Sequence, residues 1–231
     1  MIQSSLPNPL QHIGLIMDGN RRWARERNLP VIQGHRAGFD RLAELVECLA
    51  ETDARVLTVY AFSANNWQRP ACEVEQLFKL TCEGFERFTP RCLEHRLRVE
   101  VIGRRDRLPQ RVLRAVERIT CATAKGERVI RVALDYSGRD SLMKAASSLA
   151  GNVSVADFSR AVDRCQHSRG LYRDLDLVIR TGKEQRLSDF MLWESAYAEL
   201  YFPDLYWPDF TPDEFHRAVD FYYTRSRRFG G

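Results

Sequence analysis

The chain has 231 residues, 44% of them hydrophobic and 29% charged, a balance that suits one globular α/β domain with a substantial core. Its formal net charge of +4, from 35 basic and 31 acidic side chains, is too small to mark a general nucleic-acid surface. No stretch approaches the roughly 20 apolar residues of a membrane span, and residues 1–10 lack the apolar core of a signal peptide.

Ile13 to Met17 reads as a buried strand that stops at Asp18-Gly19-Asn20-Arg21-Arg22. In an open parallel sheet, ligands bind at the carboxyl ends of strands, so this turn stands where a ligand would be met. Gly19 lets backbone amides approach an anion, Asn20 tolerates a left-handed turn, and the two arginines carry fixed positive charge. An acid beside basic groups suits a metal shared with phosphate; an ordinary strand-to-helix turn with a capping Asp is the competing reading.

His35 to Glu51 follows as a helix with Leu42, Leu45, Val46 and Leu49 on one face. Val56 to Phe62 is a second strand opening onto Ser63-Ala64-Asn65-Asn66-Trp67-Gln68-Arg69-Pro70. Glu73 to Phe88 is helical, with Pro90 expected to bend or interrupt its continuation to Leu93. A strand at Arg98 to Ile102, a helix at Pro109 to Ala124 and a strand at Val129 to Leu134 come next, the last leading to Asp135-Tyr136-Ser137-Gly138-Arg139. Helices are expected at Asp140 to Leu149 and Ser154 to Cys165, and Gly170 to Asp174 is a polar link expected to be mobile.

The strand Leu175 to Ile179 ends at Arg180-Thr181-Gly182-Lys183-Glu184-Gln185-Arg186-Leu187-Ser188, which reads either as an anion clamp or as a solvated basic loop. Glu199 stands inside the aromatic and apolar run Tyr197 to Phe202. A carboxylate there needs a metal ion, an arginine or solvent exposure. Pro212 to Tyr223 is an amphipathic helix before the tail Arg225 to Gly231.

The alternation of strand and helix predicts an α/β fold with a mainly parallel sheet and helices on both faces, as a single domain spanning 1–231 with 1–11 as a flexible N-terminus. On that architecture Asp18, Ser63, Tyr136 and Arg180 gather along one edge, the basis for one phosphate site with a hard metal. The six cysteines form no C-x-x-C pair and the five histidines show no zinc spacing, consistent with reduced thiols in a cytoplasmic protein.

The blocks Met17-Asp18-Gly19-Asn20-Arg21-Arg22-Trp23, Gly34-His35, Tyr60 to Ser63 with Asn66-Trp67 and Arg69-Pro70, Val178 to Gly182, Arg186 to Ser188 and Ala196 to Leu200 together resemble the cis-prenyltransferases, the undecaprenyl diphosphate synthase family. The resemblance runs from about His12 to Gly231. It implies a homodimer with an apolar product tunnel, and Mg²⁺-dependent condensation of isopentenyl diphosphate with an allylic diphosphate to give a Z-prenyl or polyprenyl diphosphate. It implies no nucleic-acid partner and at most peripheral membrane contact.

By the same resemblance, Asp18 holds the metal and assists departure of the allylic diphosphate, and Glu199 is a second metal ligand contributed across the dimer interface. Gly19, Asn20, Arg21, Arg22 and His35 match the diphosphate-binding turn, with Trp23 as its aromatic neighbour. Arg180, Arg186 and Ser188 match the isopentenyl diphosphate clamp, which Arg228 of a partner's tail completes. Ser63, Asn66, Trp67 and Arg69 match the loop after the second strand, with Asn66 helping to remove the proton.

Val31, Asn65 and Lys183 depart from the residues many relatives carry. Ala61 favours an open upper tunnel, whereas Phe85, Phe88 and Pro90 narrow its lower part, leaving long and short products both open. An irregular, lavandulyl-type coupling of allylic diphosphates and a non-catalytic accessory subunit are the alternative functions.

Overall fold

The computed structural model describes residues 9–168 and 174–225. The strands are β1 (His12–Ile16), β2 (Val56–Ser63), β3 (Leu97–Ile102), β4 (Arg128–Tyr136), β5 (Leu177–Arg180) and β6 (Glu199–Tyr201). They form one six-stranded sheet in the order β3-β4-β2-β1-β5-β6. Every neighbouring pair is parallel. The helices are α1 (Asn20–Glu26), α2 (Val31–Ala50), α3 (Ala71–Glu94), α4 (Gln110–Ala122), α5 (Gly138–Ser147), α6 (Val155–Cys165) and α7 (Pro212–Thr224). Among the described residues none is long and apolar enough to cross a membrane. Residues 1–8, most of the 170–174 link, and the tail beyond 225, including Arg228, lie outside the described residues.

Side chains alternate between the faces of each strand, and here both faces are covered. Ile13, Leu15, Leu57, Val59, Ile130, Val132, Leu177 and Ile179 join the main core with α2, α3, α4 and α7. Ile16, Ala133, Tyr136 and Val178 point the other way and pack with Phe190 and Met191. That second face is partly polar: Glu100 and Arg131 are buried in it, and Arg131 lies 3.6 Å from Asp163 of α6.

The topology places a crevice at the carboxyl end of β1, where the chain leaves for β2 on one side and β5 on the other. The β2–β4 register shifts between Tyr60 and Phe62, so that Ala61 is the extra residue of a bulge beside this crevice. The helices α2, α3 and α5 begin two to four residues earlier than expected, whereas α4 and α6 begin within one residue of the expected start. Pro30, Pro70 and Pro109 stand at the N-caps of α2, α3 and α4, and α5 starts at Gly138, capped by the Ser137 hydroxyl.

The interruption expected at Pro90 does not occur; α3 runs through it to Glu94. Phe85, Phe88 and Cys92 are all buried, so packing holds both halves of the helix to the sheet. The Thr89 hydroxyl donates to the Phe85 carbonyl at 2.7 Å, supplying a local hydrogen bond in the turn where proline has no N–H. Because proline in a helix interior costs about 3 kcal/mol relative to alanine, Pro90→Ala should raise unfolding stability by about 1–3 kcal/mol in urea melts; an unchanged midpoint would show the turn is already strain-free.

Candidate active site

Asp18 follows β1 directly and is fixed through its backbone. Its amide donates to the Ile16 carbonyl at 3.0 Å and to the Thr181 hydroxyl at 3.1 Å, while its carbonyl accepts from the Trp207 amide at 3.0 Å. The next residue, Gly19, has φ of +107°, and a Cβ there would lie 2.7 Å from the Tyr206 ring. Gly182, after β5, has φ of +88°, and a Cβ there would lie 2.9 Å from both Cγ of Asp18 and Nη2 of Arg22. Both positions need a residue without a side chain.

Arg180 ends β5 with its side chain only 4% exposed. One Nη donates to Asp18 Oδ2 at 2.9 Å; the other donates to Ser188 Oγ at 2.7 Å and to the Arg186 carbonyl. Arg22, one helical turn beyond Asp18, lies 3.4 Å from Asp18 Oδ1 and 3.0 Å from Glu184. Glu184 also pairs with Arg186 at 2.5 Å, and that bond holds its carboxyl below the usual range. The arginines of the two loops therefore converge on Asp18 and Glu184.

A second cluster stands on the β2 side. Glu73 Oε1 is 3.2 Å from Arg69, 3.7 Å from Arg21 and 3.8 Å from His35 Nε2. Burial, and then the Arg69 charge, push the His35 pKa down to about 4, so the imidazole is neutral near pH 7 and forms no ion pair with Glu73. Burial also lowers the pKa of Arg69, with Glu73 opposing.

Five guanidinium groups thus face three carboxylates, leaving positive charge in excess. Four buried polar atoms of this region make no hydrogen bond: Nε of Arg21, Nε2 of His35, Nε of Arg180 and Oδ1 of Asn20. Unmet buried donors such as the two arginine Nε groups cost about 1–3 kcal/mol each, and an anion in the crevice is the kind of group that satisfies them, whereas Oδ1 of Asn20 is an acceptor and calls for a donor.

The loop after β2 is a single 3-10 turn, Ala64–Gln68. Asn66 Oδ1 accepts from the Ser63 amide at 3.1 Å in a reciprocal capping box, and Trp67 Nε1 donates to Asp135 at 2.9 Å. Trp23 is occupied elsewhere: its indole donates to Asp209 at 2.7 Å and the Arg27 guanidinium lies 4.4 Å over its ring.

The departures from the family pattern also have positions. Val31 opens α2, Asn65 is exposed in the 3-10 turn, and Lys183 lies 3.7 Å from Asp204 and 5.3 Å over Tyr206. Glu73, Glu184 and Asp135 were not singled out from sequence. Glu73 follows Pro70 by three residues, the first-turn position where an acid is favoured, which is the signal available for it.

Glu199 does not join Asp18 within one chain. It pairs in the ladder with Leu177, which pairs with Ile13, five residues before Asp18. At about 3.3 Å per residue the two stand roughly 16 Å apart along the strands alone. The partner Glu199 has here is Arg225, 3.4 Å away.

A cavity of about 450 Å³ runs from Asn20 and His35 between α2, α3 and β2, past Met17 and Ala61 to Phe85 and Phe88. Its volume lies within the range of ligand pockets, roughly 300–1,000 Å³. The charged crevice and the cavity share Asn20 and His35 as wall residues.

At the switch point of the parallel α/β sheet an arginine-rich crevice thus adjoins a cavity lined mostly by apolar side chains, with Asp40, Glu44, Arg87 and Arg91 also in its wall. Residues 16–230 match the family model described as putative undecaprenyl diphosphate synthase. An isoprenyl transferase of Listeria monocytogenes is 43% identical over 237 residues, covering 100% of this chain and 93% of its own. Isoprenyl transferase 1 of Bradyrhizobium diazoefficiens is 42% identical, covering 95% and 89%.

Among solved structures, lavandulyl diphosphate synthase from Lavandula x intermedia, in complex with dimethylallyl diphosphate, superposes with a TM-score of 0.91 at 26% identity over 96% of this chain and 98% of that one. A probable undecaprenyl diphosphate synthase from Campylobacter jejuni gives 0.79 at 28% identity over 97% and 100%. The chain belongs to the undecaprenyl diphosphate synthase family, the cis-prenyltransferases, and is a prenyl-transferring enzyme.

The depressed pKa of His35 carries a pH signature. Between about 4 and 6.5 the unfolded chain holds a proton on this imidazole that the folded chain does not, so stability rises with pH through that window. The rise should be on the order of 2–3 kcal/mol in denaturant melts and should shrink in His35→Gln; equal slopes in both proteins would contradict the assignment.

Proposed function

We propose that the enzyme condenses isopentenyl diphosphate with an allylic diphosphate to give a Z-prenyl or polyprenyl diphosphate, working as a Mg²⁺-dependent homodimer. The observation that carries the reading is the joining of the two halves of the site: Asn20 and His35, each with a buried polar atom that finds no hydrogen-bond partner, line both the charged crevice and the largely apolar cavity. One end suits a diphosphate and the other a hydrocarbon chain.

In this reading the allylic diphosphate lies on Gly19 to Arg22 and His35, with its tail in the cavity past Ala61. The isopentenyl diphosphate is held by Arg180, Arg186 and Ser188, with Arg228 of the partner chain completing the clamp. Departure of the allylic diphosphate concentrates negative charge on its oxygens, and Arg21, Arg22 and the His35 N–H meet that charge as it develops. At about 4 Å and an effective dielectric of roughly 20, one such pair is worth about 4 kcal/mol, so two or three dominate the barrier.

The isopentenyl double bond attacks the allylic carbon, and loss of a C2 proton from the isopentenyl unit restores an alkene. Asn66 is the group assigned to that step. The proton passes to an oxygen of the released diphosphate; Asn66 Oδ1 already accepts the Ser63 amide, and a neutral amide is a very weak base, so its part is to orient that acceptor rather than to hold the proton.

The donor chemistry fits Mg²⁺. Asp18 and Glu199 offer hard carboxylate oxygens, and Mg²⁺ is commonly held by one or two carboxylates plus substrate phosphates rather than by an all-protein cage. Accordingly, no group of three or more metal-ligating side chains exists among the described residues. When bound, the ion supplies charge neutralisation to the leaving diphosphate. Because Glu199 stands far from Asp18 in its own chain, sharing one ion requires Glu199 of a second chain.

A second reading, coupling of two allylic diphosphates, is favoured by the close superposition on lavandulyl diphosphate synthase. Labelled isopentenyl diphosphate separates the two: it is incorporated with a dimethylallyl, geranyl or farnesyl donor only in the regular reaction.

Asp18→Ala should abolish incorporation, by about 10³-fold or more, in a protein that remains folded. Glu199→Ala should lower it strongly as well. Mixing the two inactive variants under subunit exchange should restore about a quarter of wild-type activity, because half of the dimers are mixed and each of those holds one complete site. No recovery on mixing would refute the shared site, and near-normal turnover in Asp18→Ala would refute the role of Asp18.

A further inference from the structure

Asp135 stands at the end of β4, wholly buried, with a φ of +50°. A carboxylate without exposure must be paired, and a non-glycine residue in the left-handed region is held there by its surroundings. Three groups converge on it. Trp67 Nε1 donates to Oδ1 at 2.9 Å, and Arg107 donates through Nε to Oδ2 at 2.9 Å and through Nη2 to Oδ1. The Asp135 carbonyl accepts from the Arg104 amide at 3.1 Å. The Arg107 guanidinium also lies 5.4 Å over the Trp67 ring. The connection between β3 and α4 is thereby held to the backbone and side chain of one residue, whose carboxylate also grips the 3-10 turn after β2.

Trp67 has a second set of contacts. Its ring packs on Phe62 at 5.6 Å and Phe78 at 5.2 Å, which locates the indole without fixing its rotation. The hydrogen bond to Asp135 fixes it. The same short turn carries Asn66, whose side chain closes the capping box with Ser63, and it leads to Arg69, which pairs with Glu73 at 3.2 Å. A turn of one residue either way at Trp67 moves both.

We propose that Asp135 is a positioning residue of the active site: accepting the Trp67 indole N–H, with Arg107 neutralising its buried charge, it sets the placement of Asn66 and Arg69. The role rests on the reading of the turn after β2 as part of the prenyl-transfer site. The bond that matters is the indole-to-oxygen contact, while the Arg107 pair holds the carboxylate in its aim. A group that can still accept the indole proton therefore preserves function, and removal of either end of the contact does not.

Three variants separate these parts. Trp67→Phe keeps the aromatic packing and loses only the N–H, Asp135→Ala removes the acceptor, and Asp135→Asn keeps an oxygen acceptor while losing the charge. Displacement of a catalytic geometry by about 1 Å costs up to roughly 10²-fold. In isopentenyl diphosphate incorporation by the full-length enzyme, Trp67→Phe and Asp135→Ala should lower kcat by roughly tenfold to a hundredfold with KM changed less than about threefold, and Asp135→Asn should recover most of the loss.

A readout independent of turnover accompanies these assays. Amide hydrogen exchange across residues 63–69 should quicken about tenfold in Asp135→Ala and stay near wild type in Asp135→Asn. If wild-type protein incorporates no isopentenyl unit, the functional reading fails, and the exchange data alone decide the contact. Wild-type kcat in Trp67→Phe, unchanged exchange in Asp135→Ala, or an Asp135→Asn protein as impaired as Asp135→Ala would each overturn the proposal.

Discussion

The buried guanidinium of Arg180 holds the crevice together. It ends β5, reaches Asp18 at the end of β1, and turns back to Ser188 and the Arg186 carbonyl in its own loop. A charge so little exposed has no water to fall back on, so its partners are fixed with it. That contact ties the end of β1 to the end of β5 and to the loop that follows it. The left-handed residues Lys183, Ser188, Asp189 and Met191 show how tightly that loop is bent to return to the crevice.

Around that centre the electrostatics are layered. Asp18 and Glu184 partly neutralise the arginines nearest β5, and Glu73 does the same for Arg21 and Arg69 on the β2 side. Each acid keeps its arginines ordered in the absence of an anion, at the cost of some attraction for one. His35 adds a neutral donor, since burial keeps it uncharged. Hydrogen-bonding capacity and charge are thus carried by separate side chains, which lets the site accept a diphosphate without depending on histidine protonation.

Much of this was legible in the sequence because its physical causes are local. A branched apolar run ending in a charged turn marks a parallel strand and its ligand edge, and the endings at Asp18, Ser63 and Arg180 do gather there. The rest depended on distant partners. Pro90 looked disruptive because a sequence shows the missing N–H but not the packing that holds both halves of α3. β6 is three residues long and carries too short a pattern to read as a strand. Glu73, Glu184 and Asp135 are ordinary acids in sequence; only the arginines and the tryptophan folded against them give them a role. The buried Arg131 and Glu100 likewise sit in strands that read as mostly apolar, yet they make the face they occupy partly polar.

The central claim is that the arginine crevice and the apolar cavity bind one ligand between them. A crystal structure of the enzyme with a non-reactive allylic diphosphate analogue tests it most directly. The account predicts diphosphate density against Gly19 to Arg22 and His35, with the hydrocarbon running past Ala61 toward Phe85 and Phe88. An analogue whose tail leaves the crevice without entering the cavity, or whose head group sits away from Arg21 and Arg22, would contradict it.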